Sequence, residues 1–96
     1  MAKGYWIFHT TVTDLDSYAK YVERDGEAFT KYGARFLVRG GAFRAVEGTA
    51  RDRHVIIEFA SYEAALACYQ SPEYQAAFEF RRDAAITDLV IVQGAA

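Results

Sequence analysis

The chain is poor in several things, and each scarcity removes a class of function. Among 96 residues there is one cysteine, Cys68. A single thiol excludes an internal disulfide and any cysteine-rich metal site, and with no basic neighbour to acidify it, Cys68 reads as an inert thiol. There is no basic excess: eleven Lys and Arg stand against thirteen Asp and Glu, a formal net charge of −2. Without a basic stripe to displace counterions, neither nucleic acid nor an anionic membrane is an expected partner. No apolar run approaches the ~20 residues of a membrane span. Met1-Ala2-Lys3-Gly4-Tyr5 enters a strand pattern at once, so no signal peptide is expected and a cytoplasmic location follows. No catalytic motif of known spacing stands out. Gly40-Gly41 lacks the third glycine, the lysine and the following helix of a phosphate cradle, and reads as a turn or a bulge.

What is abundant is aromatic carbon: seven tyrosines, seven phenylalanines and one tryptophan. With 52 % hydrophobic and 25 % charged residues, residues 1–96 read as a single globular domain. A chain this short buries only about 60 % of its unfolded surface when it folds alone. So many large rings are more than one small copy encloses, and a homodimer is expected.

Gly4 to Val12 alternates Trp6, Phe8, Thr10 and Val12 against Tyr5, Ile7, His9 and Thr11. Bulk on both faces suits a central strand. Thr13 reads as the cap of a helix with Asp16 in its first turn, and Leu15, Tyr18, Val22, Phe29 and Tyr32 as its buried stripe. Gly26 is a place for a bend and Gly33 the C-terminal stop. Arg35 to Arg39 is a second strand, with Phe36 and Val38 opposed to Arg35, Leu37 and Arg39; Phe43 to Glu47 is strand-like again. His54 to Ala60 is the third strand. Ser61 caps a second helix, which Ser71-Pro72 restarts, since proline is tolerated at a first helical position. Asp88 to Gln93 closes the chain as the last strand.

The order β-α-β-β-α-β is that of a ferredoxin-like α+β fold, an antiparallel sheet with two helices on one face. The first and third strands are expected at the centre, parallel to each other. Tyr5, Ile7, His9, His54, Ile56 and Glu58 then share the face that no helix covers, and a second copy is the expected cover.

Arg35-Phe36-Leu37-Val38-Arg39-Gly40-Gly41 and the run from Glu58-Phe59 through Ser61, Glu63-Ala64-Ala65 and Tyr69 to Ser71-Pro72-Glu73-Tyr74-Gln75 resemble the bacterial family called domain of unknown function 1330. Gly4-Tyr5-Trp6-Ile7 and Leu89-Val90-Ile91-Val92 are similar too, so the likeness spans essentially the whole chain. The resemblance implies a dimeric α/β barrel. That superfamily also holds cofactor-independent monooxygenases, muconolactone-type isomerases and haem-handling enzymes. It implies no activity and carries over no catalytic residue.

Two constellations could carry chemistry. On the uncovered face, His9 as base and Glu58 as its orienter would be catalytic, with Arg39 as an anion anchor; the plainer alternative is an interface ion-pair network. On the helix-facing side, Trp6, Tyr18, Tyr69 and Tyr74, with Phe8 and Phe78, would line a cavity with Arg81 at its edge; the alternative is core packing with the arginine stem laid along it. His9, His54 and Glu58 are a conceivable metal set, but no metal and no cofactor is assigned. The expected function is binding of a small organic molecule, extending to a cofactor-independent monooxygenase or isomerase. The rival is a non-catalytic ligand-binding or stress-associated module, and fold analogy alone does not separate them.

Overall fold

The structure, a computed structural model, describes residues 2–96. Strand β1 (Gly4–Val12) leads to helix α1 (Leu15–Lys31), strand β2 (Arg35–Arg39) and strand β3 (Arg53–Phe59). Helices α2 (Tyr62–Gln70) and α3 (Pro72–Arg81) and strand β4 (Ala85–Gln93) complete the chain. The sheet order is β2-β3-β1-β4, and every neighbouring pair is antiparallel. The central pair therefore runs antiparallel, not parallel as expected. A hairpin-type return reverses β3 relative to β2, while the α1 crossover leaves β2 parallel to β1, so β3 opposes both.

Alternation in the central strands sorts residues as the pattern requires. Trp6, Phe8 and Thr10 of β1 and Val55, Ile57 and Phe59 of β3 are buried under the helices. The helical side of Trp6 is closed by its indole N–H, which donates to the Ala65 carbonyl at 2.9 Å. Gly4 permits this approach: a Cβ there would meet the Ser61 carbonyl oxygen, with the Tyr62 Cα only 2.7 Å away.

Helix α1 begins one residue later than the sequence suggests. Thr13 and Asp14 both give their backbone N–H to the Ala84 carbonyl, and it is the Asp14 carboxylate that accepts from Ser17 N at 3.2 Å. The buried face is Tyr18, Tyr21, Asp25, Ala28 and Phe29. Leu15 is 77 % exposed and Val22 39 %, so the stripe is rotated from the expected one. The helix runs unbroken through Gly26 and stops before Gly33, whose φ of 68° is the left-handed conformation glycine tolerates. The second helical segment is indeed restarted: the Ser71 hydroxyl accepts from Tyr74 N at 3.1 Å with Pro72 in the first turn. Three helices thus cover one face. Ser17 Oγ donates to the Phe80 carbonyl at 2.6 Å, tying α1 to α3.

Phe43–Glu47 is not a strand. Residues 40–52 lack any ladder partner and are almost wholly exposed, because β2 ends at Arg39 on the sheet edge. Strand β4 starts at Ala85, three residues before the expected Asp88, because it pairs with β1 along its full length.

Candidate functional site

One opening lies between α1 and the sheet. It is lined by Trp6, Phe8, Tyr18, Tyr21, Phe29 and Phe36 among others, together with Asp25, Arg39 and Arg53. The space inside it is ≈ 30 Å³, well below the range of small-molecule sites, so a ligand lies at its mouth or parts its walls.

Asp25 sits on the core-facing stripe of α1 and is 6 % exposed. Burial pushes its carboxyl up to about 7, against the opposing pull of the Arg39 and Arg53 guanidiniums. No ion pair joins Asp25 to either arginine; acid and cations share the cleft without neutralising one another by contact.

A bulge brings Arg39 to this site. Phe36 pairs with Ile57, but Val38 pairs with Ile56 and Arg39 with Val55, leaving Leu37 as the extra residue. Without it, Arg39 would oppose His54 on the uncovered face, as strict alternation predicts. With it, Val38 turns to the open face and Arg39 turns under the helices, its guanidinium 4.1 Å from the Phe36 ring centroid. The break in the ladder therefore falls at Leu37, not at Gly40-Gly41. Gly40 has a different task. Its φ is 71°, its N–H donates to the His54 carbonyl at 2.8 Å, and a Cβ would strike the Arg53 guanidinium. Arg53 consequently lies flat against bare backbone, its Nε buried without an acceptor.

Behind the cleft is a buried polar chain. Tyr21 and Tyr74 hydroxyls meet at 2.8 Å, and Arg81 Nη2 donates to Tyr74 Oη at 3.1 Å. The Arg81 guanidinium also lies within about 5 Å of the Phe8, Tyr21 and Phe78 rings. Burial raises both tyrosines above the usual phenol range, so Arg81 faces neutral oxygens and its Nε has no partner. Tyr69 stacks against Trp6 and Tyr74 at centroid separations of 5.9 and 5.3 Å. Of the residues expected around this cavity, Trp6, Phe8 and Tyr18 line it, while Tyr69, Tyr74, Phe78 and Arg81 stand outside its lining.

The uncovered face carries two separate clusters. His9 and His54 are direct cross-strand partners, with their Nδ1 atoms 2.6 Å apart. One ring must donate and the other accept at that distance. Beside them Arg51 Nε meets Asp88 Oδ2 at 2.9 Å. Glu58 lies four pairs away, opposite Tyr5, whose hydroxyl donates to Glu58 Oε2 at 3.0 Å; Arg35 approaches the other oxygen at 3.9 Å. His9 and Glu58 thus share a face without touching, Arg35 stands where Arg39 was expected, and no catalytic triad of His9, Glu58 and Arg39 is assembled. The same separation keeps His9, His54 and Glu58 from forming one ligand set, and no cluster of three or more His, Cys, Asp or Glu placed to hold a metal occurs among the described residues. Cys68 is fully buried, and burial pushes its thiol up to about 12.

Sequence reasoning missed Asp25 and Arg53. The signal for Asp25 was present: it falls seven residues after Tyr18 and four before Phe29, a charged group within an apolar stripe. Arg53 shares the parity of Val55 and Ile57 but lies one residue before the strand expected from His54.

A family model described as "Domain of unknown function (DUF1330)" matches residues 3–95. Among curated proteins there is no match. Among solved structures, a protein of unknown function from Rhodopseudomonas palustris is similar at TM-score 0.80 and 17 % identity, over 99 % of this chain and 84 % of that one. SnoaB, a cofactor-independent oxygenase from Streptomyces nogalater, is similar at TM-score 0.65 and 9 % identity, over 100 % and 96 %. A dimeric ferredoxin-like protein of unknown function from Thermobifida fusca is similar at TM-score 0.53 and 20 % identity, over 99 % and 92 %. At these identities the likeness establishes the ferredoxin-like fold.

Proposed function

For a chain that belongs to the DUF1330 family, whose description assigns no activity, we propose a small-molecule enzyme that moves a proton without a cofactor, in the cleft between α1 and the sheet. The observation that carries this reading is Asp25: a buried carboxyl held near 7, within an aromatic wall and alongside two arginines. A base poised near neutrality abstracts protons best, because it combines a useful ionised fraction with adequate basicity. In the proposed step the C–H bond of an enolisable substrate breaks and its proton passes to the Asp25 carboxylate. The electron pair stays on the substrate as an enolate, whose negative charge the guanidiniums of Arg39 and Arg53 offset. Where the enolate is conjugated with a C=C bond, return of the proton to the far carbon of that dienolate shifts the double bond and completes an isomerisation. Attack of the same carbanion on molecular oxygen would begin an oxygenation, the chemistry named for SnoaB.

The active unit is proposed to be a homodimer. Ile7, Ile56, Val38, Ile86, Val90 and Val92 lie on the sheet face that no helix covers, with Val90 58 % and Ile86 53 % exposed. A second copy laid on it by two-fold symmetry buries an apolar surface otherwise left to water.

The test is deuterium exchange by NMR on enolisable aromatic ketones and keto acids. The protein accelerates exchange at the acidic carbon, with a rate that rises with pH through about 7, and Asp25→Asn lowers it by about 100-fold. Compounds that perturb Trp6 fluorescence but do not exchange would make this a binding module instead. Neither binding nor exchange across the panel would overturn the reading.

A further inference from the structure

The cleft carries more positive charge than its acid can balance. Arg39 and Arg53 line it and Arg81 stands one layer behind, against Phe8 and Tyr21, whereas Asp25 is the one acid among the lining residues. Of the two that line it, Arg53 holds a buried N–H with no acceptor, its Nε. Arg81 is 5 % exposed and its hydrogen-bond partner is the phenol of Tyr74. Buried donors are nearly always satisfied, and an unpaired buried charge is costlier still. The acceptor missing at Arg53 defines what enters. The walls are aromatic: Trp6, Phe8 and Phe29 are at most 5 % exposed, and Phe36 is the ring open enough to lie against a flat molecule.

Resting on the acid–base reading above, we propose that the ligand is a small planar anion, an aromatic or enolic carboxylate, whose carboxylate is gripped by Arg53 and Arg39 while its ring lies against the aromatic wall. Gly40 serves this grip, because the bare backbone leaves room for the Arg53 guanidinium. Two arginines suit a carboxylate, whose two oxygens accept parallel N–H bonds in a way a neutral amide cannot reproduce. A bound anion also acts on Asp25. The groups around that carboxyl are Tyr18 and Tyr21 on its own helix, Arg39 on β2, Arg53 on β3 and Cys68 on α2. Neutralising the two arginines removes the pull that favours its ionised form, so ligand binding takes up a proton near neutral pH.

Benzoate and its uncharged isostere benzamide test this, titrated into the full chain at pH 7. Trp6, the sole tryptophan, reports occupancy through its fluorescence. Benzoate is expected to bind about tenfold or more tighter than benzamide, with proton uptake seen by calorimetry in two buffers of different ionisation heat. Arg53→Gln is expected to bring the two affinities together, and Arg53→Lys to restore part of the preference; thermal melts of both confirm a folded protein. Equal affinities in the wild type would overturn the anion inference while leaving the cleft intact. If neither probe binds but carbon-acid exchange is observed, the carboxylate assignment fails and the acid–base reading stands. If exchange is absent as well, both fall together.

Discussion

Asp25 concentrates the chemistry of this protein in one side chain, and its burial has a measurable consequence for folding. An ordinary aspartate ionises near 3.8, whereas this one is held at about 7. Between those values the unfolded chain has released a proton that the folded chain keeps, so stability falls as pH rises from about 4 to about 7 and levels off above. The difference corresponds to about 4 kcal/mol as an order of magnitude. Asp25→Asn is therefore expected to melt higher than the wild type at pH 8 and to flatten the pH dependence, read by calorimetric melting at pH 5 and pH 8. A wild type whose melting temperature is level across that range would remove the raised carboxyl from the account. The sequence offered Asp25 as a charged residue on an apolar helical stripe. Nothing in a one-dimensional pattern says whether such a residue turns away to water or faces the sheet, and packing decides that. Cys68 shows the opposite case: its lack of basic neighbours was readable at once, and full burial agrees with an unreactive thiol.

At the scale of elements, β2 is where pattern reading and structure part. The alternation of Arg35 to Arg39 predicts one face for both end residues, and a single extra residue at Leu37 sends Arg39 to the other. Bulges leave little trace in composition, since Phe36, Leu37 and Val38 suit either face. Right after it, Gly40 holds a positive φ and the space for Arg53. Gly40→Ala is expected to cost about 1–2 kcal/mol from the left-handed backbone alone and to push Arg53 out of the cleft. Benzoate affinity should fall together with thermal stability; a variant that melts lower yet binds benzoate as tightly would detach Gly40 from the site. The helices were more legible, because caps and stops are local. Ser61, Ser71-Pro72 and Gly33 act where the sequence places them, and the cap on α1 moved only from Thr13 to Asp14, whose carboxylate accepts from Ser17 N.

For the whole molecule, the sheet has two faces with two fates. One is closed by α1, α2 and α3 and contains the cleft; the other presents Ile7, Ile56 and Val90 beside the His9–His54 pair. Val90→Arg, on the open face and remote in parity from the cleft, is expected to convert a dimer to a monomer in light scattering while benzoate binding persists. A wild-type monomer would remove the two-fold cover from the proposal. By itself the sequence determined the element order, the ferredoxin-like fold and which residues of β1 and β3 share a face, since each follows from periodicity, caps and chain connectivity within a few residues. Only the tertiary structure decided that Arg39 and Arg53 join Asp25 under α1, and that His9 meets His54 and not Glu58. Those outcomes depend on register between segments far apart in the chain, and register is set by which strand pairs fit together, not by any stretch of residues alone.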